Sequence, residues 1–305
     1  MSRGPFKGIA TGEQLWNLAK VKEFITGGPN DATAACAHLY AQLLGNFATG
    51  AGLPFHRFLS DVTRSGVLPP LVSCVSRGGF CGMLAALALD QTILGDGPSG
   101  TAPHPPAVEG AADALVSAGA LPALVQCLKR AAEVKGADRV PSILCAGDTS
   151  LLALSAFMAH GSRFKAALLE SGAIGPFVER LARFREPEPA SRLGQRWKLE
   201  TDASLPSRLS GILEGMSFLC RPVGSRCPDR AAVAAFGGAG AAPVLIRMLA
   251  ETSASEQDLA LIAKASTLLT YIVDIEPPGA LRAPLSASPP ALRGLLKVPY
   301  WGLAG

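Results

Sequence analysis

Aromatic side chains are scarce in this chain: Phe, Tyr and Trp together make up 6% of its 305 residues. An all-β domain draws on aromatics and β-branched residues for its strands, so the scarcity counts against a sandwich or barrel. Charge is thin as well, at 17% of residues with a net +4. That balance is too weak to argue for nucleic acid by itself, and nucleic acid is not an expected partner. Long apolar runs are missing too. The longest strongly apolar run, Met83 to Leu89, falls far short of the roughly 20 residues a membrane helix needs. The longer small-residue stretch from Ala231 to Ile246 is broken by Gly237, Gly238, Gly240 and Pro243. The opening MSRGPFKGIATGEQ lacks the charged-then-apolar pattern of a secretory signal. These absences lead to the expectation of a soluble monomer in the cytoplasm, with the nucleus as the alternative compartment. No two of the seven cysteines, at 36, 74, 81, 127, 145, 220 and 227, have CxxC spacing, so reduced thiols are expected.

What the chain has in quantity is aliphatic residues and Ala. A hydrophobic fraction of 49% is too high for a disordered chain and, with so few aromatics, suits close-packed helices. One phrase recurs: GVLPPLV from Gly66, GALPALV from Gly119, GAIGPFV from Gly172 and, more loosely, GAAPVLI from Gly240. Three residues after each glycine come Pro69, Pro122, Gly175 and Pro243. Offsets five, six and nine are always apolar: Leu71, Val72 and Val75; Leu124, Val125 and Leu128; Phe177, Val178 and Leu181; Leu245, Ile246 and Leu249. Those offsets share one face of a helix. Gly can end one helix in a left-handed conformation. Pro in the first turn of the next helix loses no hydrogen bond. The phrase therefore predicts a helix–helix corner followed by a core-facing helix.

Gly66, Gly119 and Gly172 stand 53 residues apart, and Gly240 follows after 68. The extra length is placed in a Pro-, Arg- and Ser-rich insert at about 186–206. Ala- and Leu-rich helices are predicted over 34–47, 82–94, 151–159, 209–219 and 259–273. Shorter helices are predicted before the corners, for example over 163–170 and 230–236, and loops over 95–110 and 276–290. The whole chain, 1–305, reads as one array. Its approximate repeats are 12–65, 66–118, 119–171, 172–239 and 240–285, with 286–305 as a C-terminal cap.

The repeated phrase, followed by an Ala/Leu helix, resembles the armadillo repeat over roughly 12–296, with HEAT arrays as a close runner-up. The period exceeds the usual roughly 40–47 residues, an excess assigned to long loops. The resemblance implies an all-α, right-handed superhelical solenoid whose long third helices line a concave groove. In the nuclear-import members of the family that groove carries an Asn and Trp ladder gripping a basic peptide. Here Asn46 falls where such an Asn would stand. Its approximate equivalents are Asp90, Ala156, Ser217 and Thr270, and Trp16, Trp197 and Trp301 do not recur at the repeat period. A nuclear-import receptor is therefore not expected.

The expected function is non-catalytic: a protein-interaction scaffold that takes a partner's peptide or helix along the groove. Asn46, Asp90, Ser217 and Thr270 are candidate groove contacts. The alternatives are an enzyme or regulatory subunit whose site is assembled from distant residues, or the interaction region of a larger zinc-binding or ubiquitin-pathway architecture. No catalytic residue, cofactor or metal is expected. The glycines at 237, 238 and 240 lack the Lys-Ser/Thr of a phosphate loop and read as a corner. Ser162 reads as the cap of a short helix. Cys36 and His38 point apart on a helix. Cys74/Cys81 and Cys220/Cys227 are each seven residues apart, a spacing that puts each pair on one helical face, read as core packing. Arg180, Arg183, Arg185, Arg192, Arg196 and Lys198 outnumber Glu179, Glu186 and Glu188 around the insert. The bland reading is a solvated loop. The sharper one is an anchor for an acidic partner, with Arg192, Arg196 and Trp197 in contact.

Overall fold

The computed structural model describes residues 18–48, 52–94, 105–133, 141–184, 205–251 and 256–275. Among them the structure is all-α, with fourteen helices and one 3-10 turn. In chain order the helices are α1 (Leu18–Thr26), α2 (Pro29–Ala48), α3 (Gly52–Ser65), α4 (Leu68–Arg77), α5 (Gly79–Leu94), α6 (Pro106–Ser117) and α7 (Ala120–Glu133). There follow α8 (Pro141–Ala159), α9 (Lys165–Glu170), α10 (Ile174–Arg183), α11 (Leu205–Cys220), α12 (Arg230–Gly238), α13 (Ala241–Glu251) and α14 (Glu256–Val273).

The four phrase glycines do what the corner requires. Gly66, Gly119, Gly172 and Gly240 have φ of 71°, 84°, 65° and 78°, a region that costs a Cβ-bearing residue strain. Each precedes a helix, and the prolines at 69, 122 and 243 sit in its first turn. All twelve residues at offsets five, six and nine are buried, none more than 5% exposed. Burying side chains of this size contributes about 1.5–3 kcal/mol each. Phe177 also meets Phe236 of α12 edge to face, with centroids 6.4 Å apart.

The helices fall into three sets that repeat along the chain. The long helices α2, α5, α8, α11 and α14 pack each against the next. The phrase helices α4, α7, α10 and α13 do the same, with α1 beside α4. The helices before the corners pair α3 with α6 and α9 with α12. Each set is stitched by polar contacts from one unit to the next. Arg163 bridges to Glu109 at 2.9 Å and Asp113 at 2.6 Å, and Lys165 reaches Asp229 at 2.5 Å. In the phrase set, Arg130 donates to the Ser76 carbonyl, Arg183 to the Ala132 carbonyl and Arg247 to the Ala182 carbonyl. Each of these carbonyls lies at the C-terminal end of the preceding phrase helix, where cations and donors are favoured.

Several predicted boundaries move. The loop expected over 95–110 already turns helical at Pro106, because Pro starts a helix as readily as it interrupts one. The insert ends sooner than 206, since α11 begins at Leu205. Ser162 does not cap a helix: it lies within the 3-10 turn Gly161–Arg163, and α9 starts after Phe164. Arg180 and Arg183 are not loop residues but part of α10, and Arg180 is buried. Neither cysteine pair shares a helical face. Cys74 ends up on α4 and Cys81 on α5, across the Gly78 corner, while Cys220 closes α11 and Cys227 lies exposed beyond it. The start of the first repeat at 12–17, the loop expected over 276–290 and the cap at 286–305 lie outside the described residues.

Candidate interaction surface

The row of long helices is where the sequence placed its groove contacts. Asn46, Asp90, Ala156, Ser217 and Thr270 each fall near the C-terminal end of their own long helix, on α2, α5, α8, α11 and α14 respectively. These five positions thus share a similar place along their helices. Arg192, Arg196 and Trp197 lie outside the described residues.

The row is not uniformly open. On α5, Leu84, Leu87 and Asp90 keep only 8%, 7% and 7% of their exposure, and Ser155 of α8 keeps 7%. Ala85, Ala86 and Ala88 on α5 and Ala146, Ala153 and Ala156 on α8 are all buried, and such small side chains let neighbouring helices close up. The backbones of α8 and α11 come nearer still. A Cβ placed on Gly215 would lie 2.3 Å from the Ser155 carbonyl oxygen. The surface opens at α11 and α14 instead, where Thr267 and Thr270 are exposed and Ser210, Glu214, Ser217 and Lys264 half-buried. Lys264 Nζ donates to Glu214 Oε2 at 2.8 Å, Ser210 Oγ at 2.7 Å and the Ser210 carbonyl at 3.2 Å. This polar bridge between α11 and α14 is not legible in sequence because its members are fifty or more residues apart. The Ser217 and Thr270 hydroxyls donate to the Leu213 and Ser266 carbonyls of their own helices, which leaves their oxygens free only as acceptors.

Asp90 behaves as a core residue. Burial pushes its carboxyl up to about 7, against a Gln91 amide donating at 3.4 Å and the charge of Arg208 on α11, which both pull it down. Its folded value lies above the unfolded carboxylate range near 3.9, so the folded state holds the proton more tightly. The stability this confers is complete below about pH 4 and is lost as pH rises to about 7. Asp90→Asn is expected to flatten urea-denaturation stability over that window and to exceed the wild type at pH 8 by on the order of 2–4 kcal/mol. Parallel pH profiles for the two proteins would refute a buried, proton-holding Asp90.

Thiols gather at a second place. Cys36 of α2, Cys74 of α4 and Cys81 of α5 bring their Sγ atoms within 4.8 Å of one another, with Cys36 and Cys81 4.0 Å apart. Cys36 and Cys74 are fully buried, and Cys81 is half-buried. Hydrogen bonding from the Cys36 thiol, and then from Cys74, holds Cys81 well below the thiol range, while hydrogen bonding with Cys74, and then with Cys81, raises Cys36. Among the described residues, these three are the group whose side chains converge as metal ligands do.

Fold and site together define an all-helical, repeat-like protein. The crystal structure of an engineered protein, a Northeast Structural Genomics Consortium target, is similar to it with a TM-score of 0.53 at 16% identity, covering 92% of this chain and 96% of that one. At that identity the likeness is one of fold. No family model matches the sequence. No curated protein is significantly similar to it. Among the described residues, no single helix is long and apolar enough to cross a membrane.

Proposed function

We propose that the chain is a non-catalytic protein-interaction scaffold, an armadillo-like solenoid whose long helices receive an extended segment or helix of a partner. The observation that carries this reading is the unbroken row α2, α5, α8, α11 and α14, each helix packed on the next. Stacked units leave a continuous surface whose side chains can vary without disturbing the core. The burial pattern favours the α11–α14 end for the contact, with Ser217, Thr267, Thr270 and the Glu214–Lys264 bridge facing the partner. Arg192, Arg196 and Trp197 remain proposed contacts for an acidic part of the same partner.

The test begins with affinity capture from native lysate using the full chain, followed by direct titration of the recovered partner. Ser217→Arg with Thr270→Arg is expected to weaken that binding about tenfold or more. Each change places a long charged side chain on the surface while leaving the buried residues intact. A folded, helical protein that retains nothing, or a partner indifferent to both substitutions and to removal of the insert, would refute the scaffold reading.

A further inference from the structure

The thiol trio is built differently from the rest of the array. Between α7 and α8, between α10 and α11, and between α13 and α14, the chain spends several residues or more. Between α4 and α5 only Gly78 intervenes. Gly78 and Gly79 both hold positive φ, 73° and 65°. This corner folds α5 back at once, and Gly82 then lies so close to the end of α4 that a Cβ there would meet the Cys74 carbonyl oxygen at 3.2 Å and that of Val75 at 3.3 Å. The effect is to bring Cys81 against Cys74, while the packing of α2 on α5 delivers Cys36. Packing alone would be served by Ala or Val at these places. Three sulfurs turned toward one point from three helices call for another account.

We propose that Cys36, Cys74 and Cys81 form a three-coordinate thiolate site for one thiophilic d10 metal ion. Thiolate sulfur lies about 2.3 Å from such an ion, which places three sulfurs in a trigonal plane about 4 Å apart. The observed 4.0 Å between Cys36 and Cys81, with all three atoms within 4.8 Å, needs only a small contraction. The all-sulfur donor set selects soft ions. Monovalent copper is satisfied by three thiolates. Zinc would add a water, which can approach from the half-buried Cys81 side. On binding, each ligand sulfur that still carries a proton exchanges its S–H bond for a metal–sulfur bond, and those protons leave to the buffer. The resulting site is net negative, and the charge of Arg77, which already acts on Cys74 and Cys81, lies beside it. The sequence offered no metal-ligand spacing because the ligands come from three helices of two neighbouring units.

The experiment titrates the reduced full chain anaerobically, in one arm with Cu(I) delivered as its bicinchoninate complex and in the other with zinc chloride. X-ray absorption then counts the sulfurs. One equivalent bound through three sulfurs is expected in at least one arm, and the arm in which it occurs identifies the ion. Cys81→Ser is expected to lose more than the roughly 10–100-fold in affinity that removing a mere supporting contact costs. Cys227→Ser, exposed and beyond α11, should bind as the wild type does. Thermal unfolding of the wild type should shift upward with the ion bound, a readout that does not depend on any variant folding. Uptake unchanged in Cys81→Ser, or fewer than three sulfurs in both arms, would overturn the proposal.

Discussion

Gly215→Ala is expected to destabilise the protein by about 2 kcal/mol or more, although Ala is the better helix former by roughly 1 kcal/mol. The reason is where the new methyl would go. It would stand 2.3 Å from the carbonyl oxygen of Ser155, 3.0 Å from its carbonyl carbon and 3.2 Å from its Cα. All three are backbone atoms of α8, so no side chain can swing aside. Either α11 moves off α8 or the α8 backbone deforms, and both disturb neighbouring units. Gly211, on the same helix, is the matched control. It is exposed, and a Cβ there meets nothing within 4 Å. Gly211→Ala should therefore be neutral or stabilise by about 0.5–1 kcal/mol. Urea denaturation of both variants distinguishes packing from propensity. Equal effects of either sign would show that α8 and α11 do not meet as described.

The second large effect concerns the buried ion pair of α8 and α10. Arg180 directs Nε and Nη2 at Asp148 Oδ1, at 2.7 and 2.6 Å, with side-chain exposures of only 7% and 9%. Gly147 makes the room: a Cβ there would lie 3.4 Å from Arg180 Nε and 2.5 Å from the Ala131 side chain. Arg180→Ala or Asp148→Ala removes the opposite charge from a buried ionised group. Each is expected to cost about 3–5 kcal/mol, visible as a lower urea midpoint. The double variant Asp148→Leu with Arg180→Met should be more stable than either single variant, because it leaves no charge to desolvate. If each single change cost under about 1 kcal/mol, the pair would have to be solvated, as surface pairs are.

How far this molecule could be read in advance differs between its parts. The corners were legible because Gly and Pro act on their own backbone. Gly66, Gly119, Gly172 and Gly240 needed no tertiary information to mark a turn. The columns at Leu71, Leu124, Phe177 and Leu245 were legible because one helix face repeats at a fixed spacing. The arginine column is legible in the same way: Arg77, Arg130 and Arg183 each stand eleven residues after a phrase glycine. The second and third bind carbonyls of the preceding unit.

Other features were not legible in the chain, for a definite reason. Asp90 was expected on the groove, yet its burial depends on how closely α5 and its neighbours approach. The Asp148–Arg180 pair joins a residue just before the helix expected over 151–159 to one read with the solvated insert. The Glu214–Lys264 bridge and the thiol trio join residues far apart in sequence. Local chemistry determined where helices begin, where they turn and which face is apolar. Which side chains meet was decided only by the distance between packed helices. That distance is set by the Ala and Gly residues at their interfaces and by connections as short as Gly78.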